Sequence, residues 1–158
     1  MDTLLRRLAL GFALAGVLAA LAVALMVVAS IAGRSLASYP IPGDVEITQF
    51  GVALCISLCL PWSQLQRANI IVDFFTQNLP ERRVRLLDGI GAVLLALMCA
   101  LLAWRTGVGA IAVHQARETS MILALPMWWA YASLAPGLAL AALIAVVQGT
   151  RLMRGLPP

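Results

Sequence analysis

The sequence predicts an all-α membrane protein of four transmembrane helices, with an amphipathic interfacial helix between spans two and three. Three observations carry that expectation. Hydrophobic residues make up 62% of the 158 residues and charged residues 11%, with a mean hydropathy of +0.95. Soluble domains sit near roughly 45–50% apolar and about 25% charged. The apolar residues fall into four long runs, and nearly all charges lie at the ends of those runs. A soluble globular domain and a disordered chain are both excluded. The length suits one domain over 1–158, and at about 20 residues per crossing it holds at most four or five spans.

The first run, residues 8–33, follows Arg6 and Arg7, as a signal peptide would. A signal h-region is only about 7–15 residues long, whereas this run is 26 residues, or roughly 39 Å of helix. It is read as a tilted spanning helix. Leu10, Leu14, Val17, Leu21, Leu25 and Val28 form one stripe. Ala9, Ala13, Gly16, Ala20 and Ala24 form a second, and Ala15, Ala19, Ala22, Ala29 and Gly33 a third. Small residues allow close helix approach, so the two small stripes are expected to face protein and the Leu/Val stripe lipid.

A proline-broken loop, residues 34–44, precedes the second span at about 45–65. Asp44 and Glu46 complement the helix dipole at its start, and Pro61 is expected to kink its last turn. In residues 68–79 the polar residues Asn69, Asp73, Thr76 and Gln77 share one helical stripe. Ile70, Ile71, Phe74, Phe75 and Leu79 fill the rest, the pattern of a helix lying in the membrane surface. This segment either anchors the re-entry turn or buttresses a partner. After Pro80, the arginines Arg82, Arg83 and Arg85 are placed to meet phospholipid headgroups.

The third span is expected at about 86–112 and the fourth at about 121–147. Pro136 in the fourth leaves a carbonyl without its amide near Ala132, which a neighbouring helix or the Ser133 hydroxyl could satisfy. Trp104, Trp128, Trp129 and Tyr131 fit an aromatic belt at one interface, or a partner contact there.

All eleven basic side chains other than the one His are arginines. With four spans, Arg6, Arg7, Arg67, Arg82, Arg83, Arg85, Arg151 and Arg154 share one side. Arg34, Arg117 and Arg105 belong to the other, with Arg105 read as close enough to a helix end to snorkel. The positive-inside bias then puts both termini in the cytoplasm. The arginines are scattered between apolar runs, so no nucleic-acid surface is expected.

Chemistry is sparse. The single His114 cannot supply two axial haem ligands, and Cys55, Cys59 and Cys99 lie in apolar runs without nearby ligands. They are read as small packing residues, and no cofactor, metal or catalytic residue is expected. No acid lies between Arg7 and Arg34, and Gln49 and Gln64 are the strong polar groups of span two, both near its ends. Asp88 is near the start of span three, within reach of the interface. A small independent exporter needs an intramembrane carboxylate, and a membrane redox subunit or enzyme needs convergent ligands. Neither is visible, which favours a chain that assembles with something larger.

Three motifs in order sharpen this. Gly43-Asp44-Val45-Glu46-Ile47 opens span two; Gln66-Arg67-Ala68-Asn69-Ile70-Ile71-Val72-Asp73-Phe74-Phe75 with Leu79-Pro80 follows it; Leu125-Pro126-Met127-Trp128, Tyr131 and Pro136-Gly137 open span four. Over nearly its whole length the chain resembles the DctQ-like family, the small membrane subunits of tripartite ATP-independent periplasmic (TRAP) transporters. Asn69 stands where many members have His, which removes a titratable group there.

The resemblance implies a multi-pass protein of the bacterial inner membrane, partnered by a large permease subunit that holds the substrate and sodium sites. It also implies transient contact with a periplasmic substrate-binding protein that delivers an organic anion such as a carboxylate or sulfonate. The small subunit would scaffold the stationary part of an elevator-type transporter. Asp44, Glu46, Arg117 and Glu118, on the delivery side, are then candidates for docking the binding protein; helix-end capping and loop solvation are the alternative.

Overall fold

The computed structural model describes residues 3–37, 41–66 and 80–153. Within them the chain is helical: α1 (Thr3–Ala37), α2 (Asp44–Leu65), α3 (Glu81–Ala116) and α4 (Trp128–Met153). Each is long and apolar enough to cross a membrane. The interfacial helix expected over 68–79 lies outside the described residues.

The helices do not close into a bundle. They stand in a row, α1–α2–α4–α3, in which α1 barely reaches α4 and described residues of α1 and α3 do not meet. Neighbours α1 and α2 run antiparallel, as do α3 and α4, whereas α2 and α4 run parallel. One end of the row carries the links before α2 and before α4 and is called the loop end; the other, at Thr3 and Met153, is the terminal end.

Small residues set these approaches, because helices in lipid gain from packing and interhelical hydrogen bonds rather than from hiding apolar surface from water. Ala9, Ala13 and Gly16 are buried against α2, where Gly16 lies beside Cys59 and Leu58. Cys99 packs with Ala141 and Ala142 between α3 and α4. The Leu/Val stripe of α1 points outward as expected, Leu14, Val17, Leu25 and Val28 all being more than half exposed. The third stripe departs from expectation. Ala15, Ala22 and Ala29 are exposed, because α1 is an edge helix with one neighbour and needs one close-packing face.

The fourth helix starts at Trp128, not near Met121. Residues 117–127 form a compact connection in which the Ser120 amide donates to the Leu125 carbonyl at 2.9 Å. The Met127 amide donates to the Glu118 carbonyl at 3.1 Å, and Thr119 bridges Pro126. Arg117 (φ 53°) ends α3 in the left-handed region, and Ala124 (φ 52°) turns the connection back. Its apolar composition made this turn read as helix.

Pro61 lies inside α2, which runs on to Leu65, and is almost fully buried. Its ring removes the amide that would have bonded the Ser57 carbonyl. That carbonyl sits against Gly137 of α4, one residue past the other intrahelical proline. A Cβ on Gly137 would overlap the Ser57 carbonyl and hydroxyl. The Ser57 hydroxyl donates to the Leu134 carbonyl at 2.8 Å, two residues beyond the carbonyl at Ala132 expected to need a partner. Ser133 instead donates to Ala130 within its own helix, at 2.8 Å. The two proline-loosened stretches therefore meet, and α2 and α4 touch nearly backbone to backbone.

Candidate functional site

The loop end is built around the first turn of α2. Gly43 precedes it at φ 75°, a left-handed conformation that costs glycine little. Leu123 lies directly over Gly43, so any Cβ there would also collide. Glu46 reaches across to the α3–α4 connection. It accepts from the Ser120 hydroxyl at 2.7 Å, the Ile122 amide at 2.8 Å and the Leu123 amide at 3.0 Å. Asp44 faces α1 instead, accepting from the Ser30 hydroxyl at 2.6 Å and the Val45 amide at 2.8 Å. Arg34 completes that cluster at 3.4 Å, with its own side chain 63% exposed.

Two carboxylates two residues apart, and so on roughly opposite faces of the helix, thus fasten α2 to its two sides. Carboxylates suit this work at a water boundary, since they accept several amide and hydroxyl donors while keeping part of their hydration. Of the four docking candidates, Asp44 and Glu46 are engaged in these internal bonds, while Arg117 and Glu118 are exposed. Met121 and Ile122 at the tip of the connection are also exposed, Met121 fully. Behind the tip, Trp128 stacks edge-on with His114 (5.2 Å) and Trp129 (6.2 Å).

At the terminal end the fastening is neutral. Gln64 of α2 donates its amide to the side-chain carbonyl of Gln148 at 2.8 Å. Gln148 donates to the Gln64 and Leu65 main-chain carbonyls at 3.1 and 3.3 Å. Both glutamines are almost completely buried. Those two carbonyls belong to the last turn of α2, where main-chain acceptors run short of intrahelical donors. Gln148 was not singled out from sequence. Its signal was a lone amide in an apolar run, matched by Gln64 at the same end of a neighbouring span.

Between the ends, α2 and α4 flank an open apolar groove of about 530 Å³. Ile56, Ser57 and Leu60 of α2 and Leu134 and Leu138 of α4 line it, with Thr48 and Gln49 toward the loop end.

Arg105 and Trp104 lie well inside α3 rather than at its end. Gly109 packs on Tyr131, and Cys99 clusters with Ala141 and Ala142, a register that sets Arg105 level with Ala135. The Ser57 contacts with Leu134 and Gly137 place that level within one turn of the middle of the 22-residue α2. Arg105 is exposed and Trp104 is 71% exposed, and neither bonds to any described residue. A charge at this depth costs at least about 2.5–3.5 kcal/mol when it faces hydrocarbon. Beyond Arg105, α3 runs on to Ala116, eleven residues or about 16 Å further.

The remaining candidates can be placed only in part. Asn69, Asp73, Phe74 and Phe75 lie outside the described residues, as do the side chains of Arg82 and Arg85; Arg83 is exposed in the first turn of α3. Asp88 is half-exposed, one residue before Gly89, which packs against Leu152 and Met153 at the terminal end. Among the described residues no three His, Cys, Asp or Glu side chains come together.

No curated protein and no solved structure matches the chain. Residues 23–155, well over half of it, match the family model described as tripartite ATP-independent periplasmic transporters, DctQ component. That span takes in the last part of α1, all of α2 and α3, the connection held by Glu46 and all of α4, so the chain belongs to the DctQ family of TRAP transporter components.

Proposed function

We propose that this chain is the non-catalytic scaffold of its transporter, a multi-pass inner-membrane subunit that holds the stationary part of the large permease. The permease carries the solute and sodium sites, and a periplasmic binding protein delivers an organic anion, such as a carboxylate or sulfonate. The observation that carries this reading, beside the family, is the placing of acids. The described acids, Asp44, Glu46, Glu81, Asp88 and Glu118, lie in the connection or within about two turns of a helix end, so none offers a carboxylate at mid-helix for a proton or cation. An open row with two wide apolar faces also suits assembly better than solitary transport.

In this reading the arginine bias sets the terminal end in the cytoplasm and the loop end in the periplasm. Asp44 and Glu46 then shape the periplasmic surface from beneath, and Arg117 and Glu118 are the groups free to meet the binding protein. Asn69, Asp73, Phe74 and Phe75 are proposed, on sequence pattern alone, to lie along the cytoplasmic interface. Arg82, Arg83 and Arg85 contact headgroups there.

The test is sodium-driven uptake in proteoliposomes holding the permease with and without this chain, in the presence of the binding protein. Uptake should collapse without it. Full uptake and undiminished thermal stability of the permease alone would refute the scaffold reading.

A further inference from the structure

The two edges of the row are chemically different. The outer face of α1 is Leu, Val and Ala with no charge between Arg7 and Arg34, a surface that lipid satisfies. The outer face of α3 holds Arg105 near mid-height, with the Trp104 indole beside it and exposed Met98, Leu101, Leu102 and Val108 around it. No described residue accepts a bond from the guanidinium or the indole N–H.

Snorkelling is poorly suited to relieve Arg105. Helical Cα–Cβ bonds lean toward the helix N-terminus. For α3 that direction is the terminal end, away from the nearer helix end at Ala116. The side chain starts out pointing deeper, among apolar neighbours. A guanidinium with five donors in such a place needs acceptor oxygens from another molecule at the same depth.

Resting on the subunit reading above, we propose that the Arg105 face of α3 is the surface that seats against the large permease subunit. A carboxylate or unpaired main-chain carbonyls of a permease helix accept the Arg105 bonds inside the membrane. The α1 edge faces lipid.

The experiment uses the full chain co-expressed with its permease in native membranes. A photo-reactive residue is placed at Leu101 or Val108 on this face, and at Leu21 on the outer face of α1. Leu101 and Val108 should cross-link to the permease and Leu21 to lipid. Arg105→Leu, which enters a membrane more readily than the wild type, should lower permease recovered per chain by at least about tenfold, and Arg105→Glu should do so as well. Lipid-only adducts at Leu101 and Val108 would overturn the proposal, assigning Arg105 to phosphate. So would undiminished permease recovery with Arg105→Leu. Failure of the wild-type chain to recover its permease would overturn the subunit reading, and this proposal with it.

Discussion

The loop end and the terminal end of α2 are fastened by different chemistry. At the loop end two carboxylates, Asp44 and Glu46, bind donors of the segments on either side, Asp44 those of α1 and Glu46 those of the α3–α4 connection. At the terminal end two buried amides, Gln64 and Gln148, clasp each other and the last carbonyls of α2. Water explains the difference. A carboxylate that keeps part of its hydration is a strong acceptor at low cost, whereas a dry helix crossing needs a neutral group with both donor and acceptor. Removing a carboxylate should therefore act locally. Removing an amide should be felt by the whole α2–α4 pair.

The largest effect is expected between the two ends. Gly137→Val places a branched side chain where the Ser57 carbonyl and hydroxyl already lie, and main chain cannot swing aside as a side-chain tip can. Separating α2 from α4 would strain both ends at once. The expected cost is about 3 kcal/mol, at the upper end for overpacking, read as loss of thermal stability in detergent. A variant that melts like the wild type would show that the two helices are not in main-chain contact.

Next comes Gln148→Leu. It removes the Gln148 acceptor from the Gln64 amide and the Gln148 donor from two carbonyls at the end of α2, at an expected cost of about 1 kcal/mol. The double variant Gln64→Leu/Gln148→Leu should cost less than the sum of the single changes. Strict additivity would mean that the amides do not act as a pair.

These contrasts also show where the sequence was readable. Four long apolar helices, the outward-facing stripe of α1 and the acidic opening of α2 followed from hydropathy and period, which report how single residues meet their surroundings. The start of α4 did not, because Met121-Ile122-Leu123-Ala124-Leu125 is as apolar as a helix and the turn depends on Ala124 adopting a positive φ. Gln148 escaped notice because a lone amide gains meaning only beside Gln64, and that requires knowing that α2 and α4 run parallel and adjacent. The height of Arg105 is hidden for a related reason. A charge in a long run reads as near an end until a neighbouring helix fixes its height.

Glu46→Ala should leave overall melting nearly unchanged and free the connection. Its readouts are faster amide exchange at Ile122 and Leu123 and faster tryptic cleavage after Arg117, since Glu46 is the side chain that holds those amides. Slow exchange retained in the variant would show that Leu123 over Gly43, together with the Ser120–Leu125 bond, is sufficient to fix the turn.

The smallest change is expected at Asp44, and salt separates its two contacts with α1. The Arg34 pair is 3.4 Å long with an exposed guanidinium, so it should contribute little and fade as ions screen it. The 2.6 Å bond from Ser30, which is buried in α1, is short, charge-assisted and shielded on one side, so it should survive. Arg34→Ala should thus be nearly silent at any ionic strength, while Ser30→Ala should loosen the α1–α2 contact at low and high salt alike. Exchange of α1 amides near Ser30 is the measurement. A large, salt-sensitive effect of Arg34→Ala would reverse the assignment and make the ion pair, rather than the hydroxyl, the fastening at this end.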